Sequence, residues 1–231
     1  MRCSQPGLFP HARICQVPVE EITAFLLGLF QCWTMPKAIR TDNGEPFGVP
    51  TRDVVPMMSL WLVAWGVVPI LNRPRRPTDN AVVERGQGTT SRWAEPGKCQ
   101  SLDELQRRLD EACELQREKY PVVRLGNVTR GQLHKSLHAS PRPFGQARFD
   151  ERAAQEYLAL AIMPRKVSAN GTIVLYSRVF SIGTMHKGKA VFAKFCPKAG
   201  GWLVMGQDGT LAKTLPDNRF DRENLINLKC Q

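Results

Sequence analysis

Two carboxylates in one stretch of this chain have the neighbours and spacing of a cation site. Asp42 closes the run Ala38-Ile39-Arg40-Thr41-Asp42-Asn43-Gly44, a short apolar strand ending in an acid and a turn. Glu84 lies in Pro77-Thr78-Asp79-Asn80-Ala81-Val82-Val83-Glu84-Arg85, which reads as a helix start. A strand-end carboxylate facing one on a helix can hold a hard divalent cation, Mg²⁺ or Mn²⁺, because such ions take oxygen ligands. Each acid alone has a plainer reading. Asp-Asn-Gly is common turn chemistry, and a single glutamate is most often a solvated surface group. The tandem is more specific than either acid. Between the two lies the proline-rich loop Asn72–Pro77, whose Arg73, Arg75 and Arg76 suit phosphate contacts. Arg85 and Arg92, seven apart, share one side of the helix that follows.

The elements that must position these groups follow from apolar spacing. Pro18, Glu20 and Glu21 open a helix whose Ile22, Phe25, Leu26, Leu29, Phe30 and Trp33 form one broad apolar face. Residues 53–65 make a second helix, with Asp53 as its cap and Val54, Met58, Trp61 and Trp65 on one face. The tryptophans read as core, not as a platform for stacking bases. Val67–Leu71 is a short strand in which Pro69 suggests an edge or a bulge. Thr78 or Asp79 can cap the helix carrying Glu84. Val82, Val83, Gly86, Thr89, Thr90 and Trp93 form the packing side of that helix. Ser101 and Glu104 make a capping box for a helix with Leu102, Leu105, Leu109, Ala112 and Cys113 inward. Residues 121–145 read as a linker, in which His134 and His138 are surface residues, and a helix follows over Phe149–Ala161. Alternation then predicts strands at Thr172–Tyr176, Val179–Ile182, Ala190–Phe195, Trp202–Met205 and Leu211–Lys213, with turns at Asn170-Gly171, Gly200-Gly201 and Asp208-Gly209. Five short strands suit a small closed barrel. A short helix, Arg222–Leu228, ends the chain.

The order of Thr41-Asp42-Asn43-Gly44, an apolar helix and strand, then Asn80-Ala81-Val82-Val83-Glu84-Arg85, resembles the integrase core of DDE transposases and retroviral integrases. The run Gln87–Pro96 continues in the manner of insertion-sequence transposases. The separation of the acids, 84 − 42 = 42 positions, is somewhat longer than is typical, and the extra length falls in the loop Glu45–Arg52. The resemblance implies an α/β ribonuclease-H-like core over 1–120, a linker and helix over 121–161, and a small C-terminal β-barrel over 162–231. It implies DNA transposition and integration by metal-dependent strand transfer, with Asp42 and Glu84 as catalytic acids and metal ligands. DNA, as transposon ends and target, is the implied partner. Arg73, Arg75, Arg76, Arg85 and Arg92 are its contacts in the core, and Lys166, Arg178, Lys187, Lys189 and Lys194 those in the barrel. The first catalytic aspartate of such enzymes has no counterpart, because residues 1–37 contain no aspartate. The chain therefore reads as the C-terminal portion of a transposase, lacking the first strand and the DNA-end-recognising domain. An uncovered strand edge favours a homo-oligomer. A catalytically inactive DNA-binding remnant is the alternative, and a protein-binding module with a basic surface is a third reading.

Composition agrees with a polyanionic partner. The net charge is +11 over 231 residues, and residues 162–231, with 11 Lys+Arg against 4 Asp+Glu, carry +7 of it. Seven cysteines without a CxxC pair point to reduced, mostly buried thiols in a cytoplasmic protein. His11 and Cys15 stand four apart with no second pair to complete a zinc site. The segment Ile22–Trp33 is too short to span a bilayer, so no membrane is expected.

Overall fold

The computed structural model describes residues 17–33, 35–48, 54–134 and 142–228. Helix α1 spans Val19–Cys32 behind Pro18, with Glu20 and Glu21 in its first turn. Its buried stripe is narrower than six apolar residues suggested. Val19, Ile22, Leu26, Leu27 and Phe30 face the core, whereas Phe25, one residue off that stripe, is 66% exposed. Strand β1, Ala38–Thr41, leads to helix α2, Met57–Ala64, and strand β2, Val68–Leu71. Asp53 lies outside the described residues, and Pro56 occupies the N-cap position of α2. Met58, Ser59, Leu60, Trp61, Leu62 and Ala64 are all buried, so α2 is a core helix on nearly every side. Phe30 stacks on Trp61 with centroids 6.4 Å apart, and Trp65 meets Phe149 edge-on at 5.1 Å. The tryptophans are core, as expected.

Strands β1 and β2 pair in parallel, Ala38 with Val68 through Thr41 with Leu71. Among the described residues β2 has no second neighbour, which suits Pro69, a residue with no N–H to donate.

Helix α3, Ala81–Ala94, packs on α4, Leu102–Glu114, which continues as a wider turn over Leu115–Lys119. The contacts gather at the end of α3. The Gln116 amide donates to Thr90 Oγ1 at 2.6 Å, Trp93 meets Tyr120 at 5.3 Å, and Ala94 is buried. Val82 and Val83, assigned above to the packing side, therefore stand exposed on the opening turn. Ser101 Oγ accepts from the Glu104 amide at 3.1 Å, while Glu104 accepts from the Gln100 amide at 3.0 Å, so the capping box closes one residue early. Leu102 and Cys113 are exposed, and Ala112 is the buried residue of α4. The expected linker contains a short helix, α5, Arg130–Leu133, opened by a full Thr129–Gln132 capping box. His134 is exposed, as expected, and His138 lies outside the described residues.

Helix α6, Glu151–Leu158, is capped by Asp150, whose carboxylate accepts from the amides of Arg152 and Ala153. Six strands follow: β3 Ile162–Lys166, β4 Thr172–Leu175, β5 Arg178–Ser181, β6 Ala190–Cys196, β7 Gly201–Gly206 and β8 Leu211–Pro216, and α7 is Arg222–Ile226. The pairings do not close a barrel. They give an open antiparallel sheet, β3-β6-β7-β8, and a separate β4–β5 hairpin. Side chains stand in for the missing ladders on the hairpin's flanks. Arg165 of β3 donates to the Val174 carbonyl at 2.9 Å, and Lys213 of β8 donates to the Ser181 carbonyl at 2.9 Å. Gly171 is required where the β3–β4 turn meets the chain after β5, since a Cβ there would lie 2.5 Å from Gly183 C.

One buried cluster runs from Phe30, Trp61 and Trp65 through Phe149 and Leu158 to Trp202, Phe220 and Leu225. The described cysteines, Cys32, Cys99, Cys113 and Cys196, are free, and none is buried, contrary to expectation. No helix among the described residues is long and apolar enough to cross a membrane.

Candidate functional site

The connection β1–α2–β2 brings two parallel strands to a common C-terminal edge. Thr41 and Leu71 are paired, and the amide of Asn72 donates to the Thr41 carbonyl at 2.9 Å. Asp42 and Asn72 thus leave the ladder side by side. The crevice outside the carboxyl ends of parallel strands is where open α/β sheets bind ligands. Asp42 is exposed there, and it has no ion pair or side-chain hydrogen bond among the described residues.

Three oxygens of the residues next to it, in sequence or across the ladder, are buried without a partner: Thr41 Oγ1, Asn43 Oδ1 and Asn72 Oδ1. Asn72 as a residue is only 8% exposed. A buried polar atom left unpaired costs about 1–3 kcal/mol, so three such atoms on residues adjoining one free carboxylate make this strand end the candidate site. All the donors are oxygen, which fits Mg²⁺ or Mn²⁺ and not a softer metal.

Glu84 sits in the first turn of α3, exposed and unpaired among the described residues. What ties its helix to β1 is Asp79, two residues before the helix begins. Asp79 accepts from Arg73 Nη2 at 2.6 Å, Arg73 Nε at 3.1 Å and the Arg73 amide at 3.0 Å, and Arg40 of β1 lies 3.6 Å away. Its side chain is 5% exposed. These Arg73 hydrogen bonds hold the Asp79 carboxyl well below the usual carboxylate range. Neither Thr78 nor Asp79 caps α3, since the N-cap is Asn80 and no side chain bonds the first turn. Local sequence pointed Asp79 to the wrong partner, because its arginines lie six residues back and on another strand. Among the described residues no three His, Cys, Asp or Glu side chains gather in one place.

The expected phosphate ligands divide in two. Arg73 is committed to Asp79, while Arg75, Arg76, Arg85 and Arg92 are exposed. In the sheet, Lys166, Lys187, Lys189 and Lys194 are exposed, but Arg178 lies 3.6 Å from Asp217 and over the Phe180 ring at 5.2 Å. Lys166 and Lys189, with Arg165 and His186, line a groove of about 770 Å³ beside β3 and β6. Removing the Asp79 clasp, by Asp79→Ala, is expected to loosen the loop after β2. Trypsin should then cut the Arg75–Arg76 bond several-fold faster, as prolines shield the bonds after Arg73 and Arg76. An unchanged digestion rate would mean that the clasp does not order the loop.

Compared with models of known protein families the chain matches none, and among curated proteins it matches no relative.

Proposed function

We propose that this chain acts on DNA in the manner of a DDE transposase or integrase, taking part in transposition and integration. It holds a divalent cation at Asp42 and Glu84 and grips DNA through its exposed basic side chains. One observation carries the reading: a free carboxylate at the common end of two parallel strands, with orphaned oxygens on the residues adjoining it. Resemblance of the Asp42 and Glu84 segments to that family supplies the reaction class. When bound, Mg²⁺ or Mn²⁺ would polarise a phosphodiester and help ionise the attacking water or 3′-hydroxyl.

The chain's own groups do the rest. Asp42 and Glu84 contribute the negative charge that retains the cation. Arg75, Arg76, Arg85 and Arg92 contribute phosphate contacts near it, and Lys166, Lys187, Lys189 and Lys194 hold the duplex further along. A second reading, in which the chain binds DNA and the cation without joining strands, is favoured by the lack of a third acid among the described residues.

Binding of a labelled duplex to the full chain tests the shared part of both readings. Eight phosphate contacts, four from arginine and four from lysine, give a salt slope of about −7, so affinity should fall roughly ten-thousandfold between about 50 and 200 mM salt. The double change Lys166→Gln with Lys189→Gln should flatten that slope by about two. Binding that ignores salt, or no binding at low salt, removes DNA as the partner and leaves a protein-binding module.

A further inference from the structure

We infer that the amide oxygen of Asn72 is a further ligand of the cation assigned above to Asp42 and Glu84, so that a neutral oxygen of β2's end joins the carboxylate at the end of β1. The inference rests on the cation reading above and adds residues to which the resemblance gives no role.

Asn72 is placed for it by the ladder. Its amide hydrogen bonds the Thr41 carbonyl at 2.9 Å, which sets its backbone abreast of Asp42, one residue past the Thr41–Leu71 pair. Its Oδ1 is buried and unbonded, as are Asn43 Oδ1 and Thr41 Oγ1 on either side of Asp42. The other buried unpartnered side-chain atoms among the described residues, Trp61 Nε1 on α2 and Trp65 Nε1 at its C-cap, are donors and belong to the core. Unsatisfied acceptors are therefore concentrated at this strand end. Carboxylate plus amide oxygen is the donor mixture that hard divalent ions accept, the remaining positions being filled by water.

Charge around the site agrees. Arg40 and Arg73 stand next in sequence to Thr41 and Asn72 and would repel a cation. Asp79 draws both aside, with Arg73 bonded at 2.6 Å and Arg40 at 3.6 Å. The clasp that orders the loop also engages the two positive side chains adjacent in sequence to Thr41 and Asn72.

Mn²⁺ titration of the full chain, followed by the paramagnetic signal of the free ion, separates the claims. The native chain should bind Mn²⁺, Asp42→Asn should abolish binding, and Asn72→Leu should weaken it at least about tenfold. Asn72→Asp adds a charged ligand of the same shape and guards against a variant that merely unfolds. It should bind Mn²⁺ more tightly than the native chain, melt lower without metal and recover on adding it. If the native chain binds no Mn²⁺, or Asp42→Asn binds it equally, the cation reading falls and this inference with it. If Asp42→Asn loses the ion while Asn72→Leu and Asn72→Asp bind like the native chain, the cation site stands. The inference alone is then overturned, with the Asn72 oxygen satisfied by water.

Discussion

Asp217→Ala is expected to destabilise the fold by about 3–5 kcal/mol, the usual cost of stranding a buried charge. Asp217 is 2% exposed, and it accepts from Trp202 Nε1 at 2.9 Å and from Arg219 Nε and Nη2 at 2.8 and 2.6 Å. Arg219, whose side chain is 11% exposed, also donates to the carbonyls of Leu175 and Tyr176. Those carbonyls lie at the β4–β5 turn, where Tyr176 and Ser177 hold φ of 48° and 61° with no glycine to ease them. The Tyr176 hydroxyl donates to the Val55 carbonyl at 2.6 Å. One ionic knot thus fixes a strained turn, the β7 core and the segment before α2. Removing the carboxylate leaves the guanidinium buried without its counter-charge, and the turn loses its clamp.

The same group sets a pH limit. Burial opposes ionisation of Asp217, but the hydrogen bonds from Arg219 and Trp202 outweigh it, and its pKa lies below the ordinary value. A lowered folded-state pKa gives stability that is complete above the unfolded carboxyl's value, about 3.9, and is lost as pH falls through the folded one. Urea unfolding should show a flat contribution from neutrality to about pH 5, then a decline that is shallower in Asp217→Ala. A change below about 1 kcal/mol on substitution, the range of a surface ion pair, would deny the network its structural role.

Much of the sheet was legible because its strands alternate. Strands β4 to β8 were all expected, each within about three residues of the observed ends, the ordinary uncertainty of a boundary. Strand β3 was missed because Pro164, Arg165 and Lys166 hide an alternation in which Met163 is the buried member. The turn Tyr176-Ser177 was missed for a related reason. Two-residue hairpins usually announce themselves with Asn or Gly, whereas this one is held by distant Arg219. On α1 and α3 the apolar residues were visible, but which of them would be covered was not. Phe25, Val82 and Val83 satisfy helical spacing yet lie where no neighbour among the described residues covers them.

The candidate site was half legible. Asp42 stood out because a strand, an acid and a turn are contiguous. Asn72 did not, since an asparagine before a proline-rich loop looks like ordinary loop polarity until pairing sets it beside Asp42. Asp79 was visible only as a possible cap. Its role depends on Arg40 from another strand, and such long-range pairs leave no local pattern.

Incubated with labelled transposon-end DNA and Mg²⁺ or Mn²⁺, the 231-residue chain is expected to bind the DNA but yield no joined strands. In-line transfer of a phosphodiester needs positive charge at both the attacking and the leaving oxygen, which the DDE family achieves with two ions held by three acids. Here Asp42 and Glu84 are the two candidate acids, and residues 1–37 offer no aspartate as a third. Among the described residues no three acids gather in one place. A neutral oxygen such as that inferred for Asn72 would add to a coordination shell, but it adds no charge to draw in a second cation. An ion held by two acids in place of three would be free to sit off the reacting line, and displacement by about 1 Å is enough to cost on the order of a hundredfold in rate. With the second ion absent as well, joining should fall below detection while Mn²⁺ still binds, a pairing of results that a merely unfolded protein would not give. Strand joining by the native chain that Asp42→Asn or Glu84→Gln abolishes would show instead that another residue supplies the missing ligand.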